Sequence, residues 1–216
     1  MSRAAQIQSY GDARRLARRA LPWMVFDYID GAAGTGTDEA ANIAALQALR
    51  LQPRVLVNVA QRELGVRVFD HNCALPFGIS PMGMCNLSAP GADLMLARMA
   101  ARCEMPVGVS TVASTALEKM IETADGHAWF QLYYSADGRG NDRLIERAKA
   151  AGYRTLILTV DVPEVGRRPR ELRRGFKMPV RIGPRQFVDF ALHPRWSLTT
   201  LLKGRPEMGN FTEPGF

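Results

Sequence analysis

Between residues 76 and 161, short apolar runs alternate with segments whose apolar residues recur at three- and four-residue spacing. The runs at 76–80, 107–111, 129–134 and 155–161 have strand length and a β-forming composition. Between them, residues 92–103 place Leu94, Leu96, Ala97, Met99 and Ala100 at helical spacing. Further helices are expected from a cap at Ser114 to about Thr123, and from Asn141 to Ala151. Strands that alternate with helices predict a βα series around a parallel sheet. The strand runs are nearly continuous in apolar residues, as in strands covered on both faces.

Every one of these strands finishes in polar groups: Ser80, then Ser110 and Thr111, then Gln131 and Tyr133, then Thr159 and Asp161. Polar side chains delivered to one rim by four consecutive strands suit the mouth of a (β/α)8 barrel. An open doubly wound sheet would gather them at one switch point. The last run continues as TLILTVDVPEVGRR, residues 155–168. Thr159 and Asp161 are two apart and share a face of a strand. Pro163 is expected to stop the strand, Gly166 to turn the chain, and Arg167 and Arg168 follow at once. A carboxylate and two guanidiniums at a strand end resemble an active-site rim. A strand-end ion pair beside a solvated basic loop would give the same pattern.

Outside this rhythm the pattern is plainer. Residues 12–29 carry Leu16, Leu21, Met24, Val25, Tyr28 and Ile29 among arginines, which predicts helix broken at Pro22. The loop GAAGTG at 31–36 lacks GxGxxG spacing and follows no strand, which argues against dinucleotide binding. Asp38 is a candidate N-cap for a helix to Ala48, and 54–59 with 64–69 read as a β-pair. Beyond Pro163 only 197–203 suggests a short helix. These segments predict three regions: 1–75, a helical segment and β-pair; 76–161, four strands with their helices; and 162–216, an irregular basic stretch.

Composition narrows the class. The chain has 216 residues, 47% hydrophobic and 23% charged, as expected of one globular domain with a sizeable core. No apolar run approaches the roughly 20 residues that span a bilayer. Cys73, Cys85 and Cys103 are odd in number and lack CxxC spacing, which points to reduced thiols and an intracellular site. No metal is expected, since His71 beside Cys73 is an insufficient ligand set. Residues 167–205 hold eleven Lys and Arg against Glu171 and Asp189, or +9, leaving −2 of the net +7 for the rest. Such asymmetry suits nucleic acid, an anionic membrane, an anionic ligand or a solvated segment.

Six segments in order now resemble one family: MVFDYIDGAA (24–33), PRVLVNV (53–59), PFGISPMG (76–83), STVAST (110–115), QLYY (131–134) and TVDVPEVGRR (159–168). The chain resembles the FMN-dependent α-hydroxy-acid oxidising enzymes, among them glycolate oxidase, lactate oxidase and mandelate dehydrogenase. The resemblance runs from about Asp12 to Phe216, and HPRWSL (193–198) is most similar to the mandelate dehydrogenase group. It implies α/β architecture of the TIM (β/α)8 barrel family, FMN at the carboxyl ends of the strands, and oxidation of an L-2-hydroxy acid to the 2-keto acid. It assigns Pro81, Met82 and Gly83 to backbone against the flavin, and a glycine there favours a dehydrogenase over an oxidase. Ser110, Gln131 and Thr159 match flavin-bonding positions, where hydroxyl and amide groups suit the ring's acceptors and N–H. Tyr28 and Arg168 match the carboxylate-binding pair, Tyr133 the tyrosine near the substrate hydroxyl, and Asp161 the carboxylate that orients a catalytic histidine. Read without the resemblance, each of these residues has a structural alternative: a backbone bond, a core aromatic or an ion pair.

Other family features find no match. His71, His127 and His193 do not lie in an SGHGGR-like motif, and the flavin-side lysine, the second substrate arginine and the late phosphate loops have no counterpart. A full barrel typically takes about 250 residues, so the expectation is an N-terminal part that ends before a fifth strand and is inactive alone. The alternative is a non-catalytic relic or an interaction module without flavin. The expected partners are a small 2-hydroxy acid and either a second copy or a complementary C-terminal half. The basic stretch would be a lid, or would touch a membrane peripherally through 177–205. Nucleic acid is not expected, because the excess charge is confined to that stretch. The expected location is cytoplasmic, with peripheral contact at the inner membrane face as the second reading.

Overall fold

The fold was analysed in a computed structural model, which describes residues 3–134, 138, 140–161, 166–176, 182–203 and 207–211. In chain order the helices and strands are α1 (Tyr10–Ala20), α2 (Trp23–Asp30), α3 (Thr37–Ala48), β1 (Val66–Val68), β2 (His71–Cys73), β3 (Ile79–Met82), α4 (Ala92–Arg102), β4 (Val107–Ser110), α5 (Leu117–Thr123), β5 (Ala128–Tyr133), α6 (Asn141–Ala150), β6 (Leu156–Thr159), α7 (Pro169–Arg174), α8 (Pro184–Leu192) and α9 (Pro194–Lys203). They fall into two compact units, Met1–Val57 with Glu164–Lys203, and Asn58–Pro163 with Gly204–Phe216.

The first unit is helical. Pro22 separates α1 from α2 and cannot cap α2 with a side chain. Asp189 of α8 does so instead, accepting from the backbone N–H of Trp23 at 2.9 Å and of Met24 at 3.2 Å. The remaining face of α2 buries Met24, Val25 and Phe26. Its polar residues are tied by ion pairs: Asp27 accepts from Arg170 and Arg174, and Asp30 from Arg14 and Arg170. Burial alone would raise the Asp30 carboxyl, but the Arg14 and Arg170 guanidiniums outweigh it and hold the carboxyl below its usual range.

Two local expectations fail here for backbone reasons. The N-cap of α3 is Gly36, in the left-handed region at φ 81°, so Asp38 falls in the first turn. Residues 54–59 are not a strand. Leu56 sits at φ 61° and Val55, Leu56 and Val57 are exposed. The hairpin forms further on, with Val66 opposite Cys73 and Val68 opposite His71. Residues 184–192, expected to be irregular, form α8.

The second unit carries the parallel sheet in the order β3-β4-β5-β6. Paired residues of parallel neighbours share a face, so the register sorts the side chains. Val107, Val109, Ala128, Phe130 and Leu132 line one face and are buried against Ala97 and Ala100 of α4, Leu117, Met120 and Ile121 of α5, and Leu144 and Ala148 of α6. Leu156 and Leu158 continue that face on β6 but are half exposed, and among the described residues no α-helix of this unit follows β6. The opposite face holds Gly108 and Ser110, Trp129, Gln131 and Tyr133, and Ile157 and Thr159. This is the βα architecture expected of the (β/α)8 family, represented by four strands that do not close into a barrel. Pro163, expected to stop β6, lies outside the described residues, as do Lys177–Arg181 and Gly204–Pro206 of the basic stretch.

Candidate functional site at the strand ends

The carboxyl ends of β4, β5 and β6 bring three of the expected residues together. Gln131 is buried and donates from Nε2 to Thr159 Oγ1 at 2.8 Å, while its Oε1 accepts from Thr111 N at 3.3 Å. Thr111 donates through Oγ1 to the Gln131 carbonyl at 2.7 Å and accepts from Tyr133 N at 2.9 Å. Ser110 Oγ accepts from Val112 N at 3.2 Å. Thr159 accepts from Gln131 and Ser110 from the adjoining Val112 N, so each keeps a hydroxyl proton for another group. The ladder explains why they meet: Ser110 pairs with Gln131, and Tyr133 with Thr159. Thr111 was legible as a strand-end polar residue, but its role in joining β4 to β5 was not.

The other expected residues are placed less closely. Tyr133 projects its ring from the end of β5, half exposed. Asp161 is exposed just past β6. Pro81 and Met82 belong to β3. Pro81 packs on Gly108, where a Cβ would stand 2.6 Å from the Pro81 ring. At Gly83 a Cβ would meet Val112 Cγ2 at 2.5 Å, so the close approach that this glycine permits is to the β4–α5 loop. Tyr28 and Arg168 lie in the helical unit. Tyr28 stacks on Phe176 with ring centroids 4.6 Å apart, and Arg168 pairs with Glu171 at 2.9 Å.

No histidine reaches these strand ends within the sheet unit. His127 immediately precedes β5, and His71 in the hairpin packs 5.9 Å from the ring of Trp129, near the amino end of that strand. In the helical unit, His193 places Nδ1 2.7 Å from the Asp189 carbonyl oxygen. Two further groups, the buried Asp93 at the start of α4 and the half-buried Cys85, follow β3. Burial raises the Asp93 carboxyl, whose Oδ2 accepts from Thr115 N at 2.8 Å. Burial, with Asp93 nearby, also pushes the Cys85 thiol up to about 12. Among the described residues no group of three or more His, Cys, Asp or Glu could hold a metal.

The model of the FMN-dependent dehydrogenase family matches residues 17–214. The chain belongs to that family. It is 38% identical over 207 residues to an L-lactate dehydrogenase of Pseudomonas syringae pv. syringae, covering 95% of this chain and 54% of that protein. It is 36% identical over 202 residues to the (S)-mandelate dehydrogenase of Pseudomonas putida, covering 93% and 51%. Among solved structures, that of monotopic membrane protein (S)-mandelate dehydrogenase superposes with a TM-score of 0.86 at 35% identity, over 94% of this chain and 54% of that one. The chain thus spans about half the length of the relatives it matches. Among the described residues no helix is long and apolar enough to cross a membrane.

Proposed function

We propose that this chain forms the flavin-ring side of an FMN-dependent enzyme that oxidises an L-2-hydroxy acid to the 2-keto acid. The observation that carries this reading is the neutral network of Ser110, Thr111, Gln131 and Thr159 at three adjacent strand ends, in a member of the FMN-dependent dehydrogenase family. Its donor set fits the group: two spare hydroxyl protons and a primary amide match the carbonyl and ring-nitrogen edge of an isoalloxazine. Ser110, Gln131 and Thr159 hold that edge, with the backbone of Pro81, Met82 and Gly83 against the ring. Bound FMN supplies the acceptor for the two electrons leaving the substrate. Tyr28 and Arg168 anchor the substrate carboxylate, Arg168 exchanging Glu171 for it, and Tyr133 orients the hydroxyl. Asp161 orients a histidine base that none of His71, His127 and His193 supplies, so this chain alone does not oxidise hydroxy acids.

Titration of the purified chain with FMN, read by quenching of flavin fluorescence, tests the cofactor reading. Saturable binding that weakens in Gln131→Leu is expected, and no binding would overturn it. Anaerobic mixing of the flavin-loaded chain with lactate, glycolate or mandelate should leave the flavin oxidised, and bleaching would refute inactivity alone.

Two partners complete the proposal. The half-exposed Leu156 and Leu158, with Val160, call for apolar cover from a complementary polypeptide or a second copy. In the helical unit, α8 and α9 expose Phe187, Val188, Leu192, Leu198, Leu201 and Leu202 beside Arg185, Arg195 and Lys203. That mixture suits peripheral contact with an anionic bilayer, in keeping with the monotopic (S)-mandelate dehydrogenase. Salt-sensitive sedimentation with anionic vesicles is expected, and no sedimentation at low salt would exclude it.

A further inference from the structure

The turn Gly209–Phe211 is far in sequence from β4, yet it is built into the end of that strand. Asn210 is fully buried. Its side-chain amide is fully used: Nδ2 donates to the Ser110 carbonyl at 3.2 Å and the Thr111 carbonyl at 2.9 Å, and Oδ1 accepts from Leu117 N at 2.9 Å. That last bond caps α5, whose own N-cap residue, Ala116, has no side-chain acceptor. On either side the fit is equally close. Gly209 N donates to the Ala113 carbonyl at 2.9 Å, and a Cβ on Gly209 would stand 2.6 Å from Ala116 N. Phe211 packs on the sheet core, and Arg147 Nη1 holds the Asn210 carbonyl at 2.9 Å while its guanidinium pairs with Glu118.

We propose that Asn210 is a positioning residue for the strand-end site. By holding the Ser110 and Thr111 carbonyls it sets where the Ser110 hydroxyl points and where Thr111 meets Gln131. The chain that leaves the sheet after β6 thereby returns to brace the site's edge. A bare helix cap would need only Oδ1; the two Nδ2 bonds reach the strand end itself. The functional part of the proposal rests on the reading of that edge as flavin-facing.

Asn210→Asp separates the two roles, since it keeps an acceptor for Leu117 N and loses both donors. In the full chain, hydrogen exchange should quicken at Val112 and Ala113 while α5 stays protected, and FMN should bind about tenfold more weakly. Should that variant fail to fold, Arg147→Met loosens the turn from outside, and roughly threefold weaker FMN binding with faster exchange at 110–113 is expected. Unchanged exchange at 110–113 in the folded variants, or unchanged FMN affinity despite faster exchange, overturns the proposal. If the wild-type chain binds no FMN, the flavin reading fails, and the exchange result alone decides whether Asn210 positions the strand end.

Discussion

The strand-end network of the sheet unit and the ion-pair network on α2 both tie distant segments together, with opposite chemistry. At the strand ends, Ser110, Thr111, Gln131, Thr159 and Asn210 are neutral, and most are buried. On α2 the links are Asp27 and Asp30 against Arg14, Arg170 and Arg174, whose side chains are about 37–48% exposed. Neutral bonds in a buried setting respond little to salt or pH, whereas half-exposed ion pairs are screened and titrate. The contrast suits a sheet unit that presents uncharged donors in fixed positions and a helical unit assembled through charge.

The largest effect that would sharpen the comparison is Gln131→Leu. It leaves the buried Thr111 N–H without an acceptor, at a cost of about 1–3 kcal/mol, independent of salt, by chemical denaturation. A cost that falls steeply with salt would break the contrast. Asp27→Asn should cost about 1–2 kcal/mol at low ionic strength, since its arginine partners remain half exposed, and less at high salt. Acidification is expected to act differently on the groups of the two networks. Asp30 is depressed, so its contribution is present above its unfolded value near 3.8 and is lost as pH falls through the folded value. Asp93 is raised by burial and has the opposite sign, favouring the fold at low pH and losing that contribution as pH rises through its folded value. Glu118, where burial is outweighed by Arg147, follows Asp30. Exchange measured from pH 5 to pH 3 should therefore loosen α2 before β4 and β5. The smallest effect is Arg168→Ala, within about 0.5 kcal/mol on stability, because the Arg168 side chain is about half exposed in its pair with Glu171. A larger loss would make Arg168 structural rather than a substrate anchor.

The same physics explains what was legible. β4, β5 and β6 were readable because apolar runs such as Leu156–Leu158 need burial wherever the chain places them. Gln131 and Thr159 were readable as strand-end polar groups because strand parity puts them on one face. The caps were not. Ser114 looked like the cap of α5, but its hydroxyl is buried without a partner while Asn210 makes the bond. Pro22 offered α2 no cap, and Asp189 supplies one from α8. An orphan helix N–H can be satisfied by any acceptor that the fold delivers, and local sequence does not say which.

By itself, then, the sequence determined the βα rhythm, the polar rim and the family, because side-chain periodicity and ordered motifs are local properties. Only the tertiary structure decided that residues 54–59 form no β-pair with 64–69, that Gly83 abuts Val112, and that Asn210 returns to lock Ser110 and Thr111. Those outcomes depend on backbone torsions and on contacts between residues a hundred positions apart, where close packing leaves room for one partner and no other.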